Sequence, residues 1–388
     1  MKKLIIQEIE QIREQLYKIS QYIGENPELG HEEFKASKIL SDELKNHSFQ
    51  VELGTAGLAT AFEAVFDSGA PGPSIAFMAE YDALPELGHA CGHNLIGTMA
   101  VAAGIGLSKV IKNYGGKVYV YGTPAEETRG GKVTMTEQGI FDHLDVAMMV
   151  HPFHRHEESG FSLAMDAIQF EFFGKAAHAA ASPHEGINAL DAVIQTFNSI
   201  NALRQHVTPD VRIHGIIPEG GKAANIVPNY AVAQFYVRAA HRTYLNQLIE
   251  KVKGCAEGAA LATGAKLETS YYEFSYDDMR TNEVLSNSFT ENLLQLGVER
   301  SEIYQKGSAG SLDMGNVSHV VPSIHPYIQI CNEPHACHTH EFREAAMSNQ
   351  GFEGLILGAK CMANTAFDIL TKPELLTKVK EEFSRTKK

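Results

Sequence analysis

The sequence predicts an α/β protein: a mixed sheet with helices on both faces, into which a smaller α+β domain is inserted. Three observations lead there. Short apolar runs alternate with helical patterns over the first 150 residues. The element order then changes to β-α-β-β-α-β. The 388 residues, 44% of them hydrophobic, are enough for two cores.

Apolar positions at helical spacing (Leu4, Ile5, Ile9, Ile12, Leu16, Ile19, Ile23) predict a helix within the first thirty residues. The runs SIAFMA (74–79), KVYVYG (117–122) and DVAMMV (145–150) read as buried strands. An apolar helix lies between the first two, from residue 95 to about 114, and stops at Gly115-Gly116. Strand, helix, strand implies a parallel or mixed sheet. From residue 168, IQFEFFG, a helix over 188–206, VRIHGIIPEGG, YAVAQFYVRAA, a helix over 243–265 and KLETSYYEF follow the ferredoxin-like order. The expected division is an outer domain of 1–166 plus 281–388 and an inserted domain of 167–280. The outer domain resumes with a helix near 282–296, a strand near 320–330 and a long helix over about 342–370.

The formal net charge of −14 gives no basic face for nucleic acid. The N-terminus MKKLIIQEIEQI has an apolar run of only three residues, short of the roughly 7–15 of a secretory signal. No segment reads as the roughly 18 apolar residues of a membrane span. The five cysteines, Cys91, Cys255, Cys331, Cys337 and Cys361, are odd in number and scattered, as in reduced intracellular thiols. A cytoplasmic protein that binds neither nucleic acid nor membrane is expected.

The run-off from each strand carries the chemistry. The first leads into EYDALPELGHACGHN, the second into TPAEE, the third into HPFHRH. Ligands bind beyond the carboxyl ends of strands in open α/β sheets. A structural zinc finger needs two close ligand pairs, which HACGH and the distant HACHTH do not supply. A zincin helix would place His89 and His93 at i, i+4, but Ala90 stands where its glutamate belongs. A Cys91–His nucleophile is chemically possible but leaves Glu126, Glu127 and the later histidines unused. A catalytic metal centre uses all of them, because thiolate, imidazole and carboxylate together suit zinc or a similar ion. Adjacent side chains on extended backbone point oppositely. One glutamate of the pair can therefore bind metal while the other takes a proton from a metal-activated water.

These motifs, with GKAAHAAASPHEGINALDA and HTHEF, resemble the M20 peptidase family of co-catalytic metal amidohydrolases. Within it they are similar to the branch of aminoacylases, hippurate hydrolases, auxin-conjugate hydrolases and aminobenzoyl-glutamate hydrolases. The resemblance runs from about residue 26 to 346. It implies metal ligands at Cys91, His93, Glu127, His151 and His338, with Glu126 as general base. It makes Asp82 the carboxylate that orients a metal-bound histidine. Two departures stand out: Asn94 where the branch often has aspartate, and Glu80 where the wider family has histidine. Of the C-terminal histidines, the family spacing to Phe342 favours His338. His89, His154, His156, His335 and His340 read as hydrogen-bonded or surface residues.

The resemblance also makes the inserted domain a lid and dimerisation domain. His178 becomes a transition-state ligand that reaches the partner subunit's site. Asn225 and Arg238 become ligands of the substrate carboxylate, a role suited to a guanidinium. The expectation is a homodimeric enzyme, with assembly beyond the dimer left open. Two divalent ions per subunit, zinc with manganese, cobalt or nickel as alternatives, would hold a bridging hydroxide. The substrate is a small amide: an N-acyl amino acid, a dipeptide or an aminobenzoyl-glutamate-like conjugate. The rival is a degenerate family member that binds peptides or serves as a scaffold without catalysis.

Overall fold

The computed structural model describes residues 1–305 and 310–386. Its contacts divide the chain into two compact units, one of residues 1–161 and 279–388, the other of residues 162–278.

The outer unit is built on a six-stranded mixed sheet. Its order is Gln50–Leu53, Phe62–Asp67, Lys117–Gly122, Ser74–Ala79, Val146–Met148, Ser323–Ile324. The last four strands run parallel and the first two pair antiparallel. The apolar runs announce the three central strands and not the two antiparallel ones. Alternation along those central strands explains why both faces are covered. Ile75, Phe77, Val118, Val120, Val146 and Met148 point into one core, where helix His93–Ile111 lies. Ala76, Met78, Tyr119, Tyr121 and Ala147 point into a second core, with Met135 and Met314 from helices Gly131–Glu137 and Met314–Ser318. Helix His93–Ile111 is itself apolar and long enough to cross a membrane, contrary to the sequence expectation, but 94% of it is buried inside the protein.

Three expected elements are split. The N-terminal helix is Lys2–Gln11 and Arg13–Glu25, broken at Ile12 (φ −98°, ψ 7°), with no glycine or proline to announce it. The strand near 320–330 is Ser323–Ile324 in the main sheet and Tyr327–Gln329 in a second sheet. Pro326 between them has no N–H to continue a ladder. The long C-terminal helix is His340–Ala346 and Asn349–Thr371, and the Ser348 hydroxyl caps the second by accepting from Gly351 N–H at 3.0 Å.

The inserted unit has strands Ala164–Phe173, Arg212–Glu219, Tyr230–Ala239 and Lys266–Tyr271. All pair antiparallel, in the spatial order fourth, first, third, second. Helices Ala189–Leu203 and Arg242–Thr263 cover one face, packing on Ile168, Phe170, Phe172 and Phe235. This is the ferredoxin-like arrangement.

Helix His93–Ile111 approaches its sheet closely because it carries glycines at the contact. A Cβ at Gly97 would lie 2.8 Å from the Glu80 carbonyl oxygen and 2.9 Å from Leu40. Alanine favours a helix by about 1 kcal/mol over glycine, but overpacking a core costs about 1–3 kcal/mol, and a backbone carbonyl cannot rotate away as a side chain can. Gly97→Ala is expected to lower stability by up to about 2 kcal/mol in denaturant unfolding. An unchanged or higher midpoint would show that the helix can retreat.

Candidate metal centre

Four chain segments of the outer unit meet beyond the strand ends. Glu80 and Asp82 follow strand Ser74–Ala79. The loop after them turns through Gly88 (φ 69°) and Gly92 (φ 75°), left-handed positions open to glycine. Gly92 then caps helix His93–Ile111, so Cys91 and His93 flank the turn. Strand Lys117–Gly122 leads to Glu126 and Glu127 through Ala125, which is itself left-handed (φ 62°). Buried Glu33 fixes that turn: one of its oxygens accepts from Ala125 N–H at 2.8 Å, the other from the Thr60 hydroxyl at 2.7 Å. His151 opens strand His151–Phe153. His338 is also left-handed (φ 67°), and its N–H donates to the Ala90 carbonyl at 3.0 Å, which ties the last segment to the first.

The ligand atoms of Cys91, His93 and His151 lie within 4.8 Å of one another, and so do those of Cys91, Glu127 and His338. All five expected ligands are thus brought together in two groups that share Cys91. His93 Nδ1 lies 3.0 Å from the Asp82 carboxylate and 2.9 Å from its carbonyl. That hydrogen bond assigns the proton to Nδ1 and turns Nε2 toward the cluster. Nε2 is buried without a hydrogen-bond partner, as are one oxygen of Glu127 and one of Glu80. His151 Nδ1 is 2.7 Å from the Pro152 carbonyl, which turns its Nε2 inward in the same way. Asp82 also accepts from Glu127 N–H at 3.0 Å, so one carboxylate orients two of the donors. Two three-membered sets of mixed donors, with His93 Nε2 and one Glu127 oxygen buried and lacking a hydrogen-bond partner, fit two divalent ions.

Charge explains the remaining geometry. Burial and the carboxylates of Glu127, Glu80 and Asp313 push the Glu126 carboxyl well above its ordinary range. Burial would lower the His93 pKa, but Asp82, Glu80 and Glu127 outweigh it and hold the pKa well above that of free imidazole. A proton on Nε2 is the smallest cation this cluster accepts. The hydrogen bond to Glu127 raises the His338 pKa as well. Behind Glu126, fully buried Lys132 donates to Glu80 at 2.5 Å and to Asp313 at 2.8 Å. Cys91, Glu126, His151, Phe153, Tyr327 and His338 line a cavity of about 450 Å³.

Sequence reasoning did not single out Glu33, Lys132, Asp313, His325 or Tyr327. Glu33 sits inside the NPELGHEEF segment, and Lys132 follows the glutamate pair by five residues. Asp313 has no local signal at all. Asn94 is buried and donates to Ser20 Oγ at 3.1 Å and to the Ala346 carbonyl at 3.3 Å, so it ties helices together at that position. His89 is not a surface residue: it is 1% exposed, and burial lowers its pKa to about 3. His156 is buried and accepts from Gln329 N–H at 3.2 Å. His154 and His335 are half-buried and His340 is exposed.

In the inserted unit His178 is exposed, and its Nδ1 accepts from Ala180 and Ala181 N–H at 3.2 Å each. That leaves the ring proton on Nε2, as an outward donor. Asn225 is adjacent, its carbonyl accepting from Ala179 N–H at 3.0 Å. Arg238 is half-buried over the Tyr236 ring, and its Nε has no hydrogen-bond partner.

Residues 165–263 match the peptidase dimerisation domain. The chain is 39% identical to the Xaa-Arg dipeptidase of Mus musculus, over 99% of this chain and 92% of that one. It is 34% identical to one of the two kinds of p-aminobenzoyl-glutamate hydrolase chain of Escherichia coli K12, over 74% of this chain and 64% of that one. Its fold superposes with a TM-score of 0.73 on a Bacillus subtilis dinuclear metal-binding peptidase of the M20 family, covering 94% and 99% at 19% identity.

Glu33 generates a prediction about pH. Burial raises its pKa from 4.5 to about 7, against the opposing hydrogen bond from Thr60. The native state therefore binds this proton more tightly than the unfolded chain, and stability falls as pH rises from about 4.5 to about 7. Glu33→Gln removes that penalty and keeps an acceptor for Ala125. At about 1.4 kcal/mol per pKa unit, the variant is expected to match the parent near pH 4 and to exceed it by about 1–3 kcal/mol near pH 8. Denaturant unfolding at the two pH values checks this. An equal difference at both would mean that Glu33 stays ionised in the fold.

Proposed function

The chain belongs to the M20 family of metal-dependent peptidases and amidohydrolases, and we propose that it hydrolyses the amide bond of dipeptides, N-acyl amino acids or aminobenzoyl-glutamate-like conjugates at this centre. The observation that carries the proposal is the pair of donor sets sharing Cys91 beside Glu126, in a cavity sized for a small substrate. A degenerate scaffold protein would have no reason to keep every donor oriented. The similarity to an Xaa-Arg dipeptidase and the net charge of −14 favour dipeptides with a cationic C-terminal residue as the first substrates to assay.

We assign Cys91, His93, Glu127, His151 and His338 as ligands, with zinc suited to the mixed donor set and manganese, cobalt or nickel as alternatives. When bound, two such ions supply Lewis acidity to the scissile carbonyl and lower the pKa of water. The protein supplies the rest. Asp82 keeps His93 in the tautomer that presents Nε2. Glu126 carboxylate takes the proton of the attacking water and returns it to the departing amine nitrogen. The Nε2–H of His178 donates to the developing oxyanion of a partner subunit's substrate, and Asn225 and Arg238 hold the substrate carboxylate. A homodimer through the inserted domain is supported by its edge strand Arg212–Glu219, where Ile216 is 63% exposed. A cytoplasmic location is supported by the five cysteines all being free.

Glu126→Gln is expected to retain metal and to lower kcat by about 10²–10⁴-fold, since an amide cannot accept the proton. Glu127→Ala is expected to lose metal as well. Elemental analysis beside an assay decides, and equal metal loss in both variants would remove the division of roles.

The trans role of His178 is tested by co-assembling Glu126→Gln chains with His178→Ala chains, each inactive alone. About half of the dimers would be mixed and one site in each would be complete, so about a quarter of wild-type activity should return. No recovery, in a sample shown by native mass measurement to contain mixed dimers, rules the trans arrangement out.

A further inference from the structure

Among the described residues, Cys337 is the one thiol lining the cavity that the ligand sets leave over. It precedes His338 and faces the same cavity as Cys91. The hydrogen bond from His338 N–H to the Ala90 carbonyl sets the two loops abreast at these residues. The Cys91 and Cys337 side chains are close enough to interact with each other. Among the described residues, Cys337 belongs to none of the donor groups, although its neighbours His338, Glu127 and Cys91 do. A thiol in contact with a ligand thiolate, open to the cavity and outside the coordination set, has the placement of a disulfide partner.

We propose that Cys91 and Cys337 form a redox-sensitive pair, whose disulfide excludes metal from the sets that share Cys91. The ligand part rests on the function proposed above; the thiol pair rests on the two loops alone. With hydrogen peroxide as oxidant, the Cys337 sulfur attacks one peroxide oxygen. The O–O bond breaks, a sulfenic acid forms on Cys337, and the other oxygen leaves as water with the thiol proton. The Cys91 sulfur then attacks the Cys337 sulfur. The S–S bond forms, the S–O bond breaks, and the hydroxyl leaves as water with the Cys91 proton. Two thiols lose two electrons and two protons, and one peroxide becomes two waters. Cys331 is the nearest competitor, but its thiol donates to the Glu333 carbonyl at 3.3 Å and is buried.

The test treats metal-loaded and metal-stripped protein with peroxide, then maps disulfides by peptide mass analysis and measures metal release with a chromogenic chelator. Expected are a Cys91–Cys337 link that forms faster in the stripped protein, metal release from the loaded one, and reversal of both by a thiol reductant. Cys337→Ser should slow peroxide-driven metal release by roughly tenfold or more, and reductant should not reverse what release remains. Cys91 and Cys337 found unlinked in the stripped protein, or Cys337 linked to Cys331, overturns the pair. A Cys91–Cys337 link without metal loss supports the pair and overturns Cys91 as a ligand.

Discussion

Five carboxylates cannot share one buried cleft without cations among them. Glu80, Asp82, Glu126, Glu127 and Asp313 converge here, with ligand atoms of Glu80, Glu126 and Asp313 within 4.8 Å of one another. Two unit charges about 4 Å apart repel by about 4 kcal/mol even at a generous effective dielectric. Among the described residues the fold answers with a buried cation of its own. Lys132 is fully buried between Glu80 and Asp313, and they hold its pKa up against the cost of burial. Deleting one partner of such a cluster strands the others, which is why buried ionic groups are costly to break singly. Where Lys132 does not reach, around His93 and Glu127, the negative potential is left for cations from solution. Under the proposed function, the same crowding both builds the support and creates the affinity for metal.

Much of this was legible in the sequence because it is local. The three central strands are apolar runs of a few residues, and all the donors but His338 lie in the segments that follow them, His151 at once, Glu126 and Glu127 after three residues, Cys91 and His93 after a longer turn. Cys91 and His93 share one turn, and Glu126 and Glu127 are adjacent. The β-α-β-β-α-β order of the inserted unit is likewise a property of consecutive segments.

What escaped is non-local. Lys132 and Asp313 are 181 residues apart and define each other only after the sheet has formed. Glu33 reads as one more charge in an acidic stretch until Ala125 N–H, 92 residues later, supplies its purpose. The strand expected over 320–330 is one apolar run but two strands, because Pro326 lets the chain leave one sheet and enter another. His151 and Tyr327 owe their proximity to that second sheet, where the two residues are register partners. Periodicity sees the run and not its change of partner.

The interrupted chain also has a timetable. The inserted unit closes on itself between residues 162 and 278, whereas the outer sheet is completed by Ser323–Ile324 and helix Asn349–Thr371 packs against helix His93–Ile111. Domains fold as units during synthesis, at about 5–20 residues per second. Cys91 and His93 therefore emerge tens of seconds, by that rate, before the segment carrying His338. For the last part of that interval, once residue 278 has emerged, the ribosome holds an inserted unit whose chain is complete and an outer one whose chain is not. That window is set by topology, and under the proposed function the metal centre can close only after His338 has emerged.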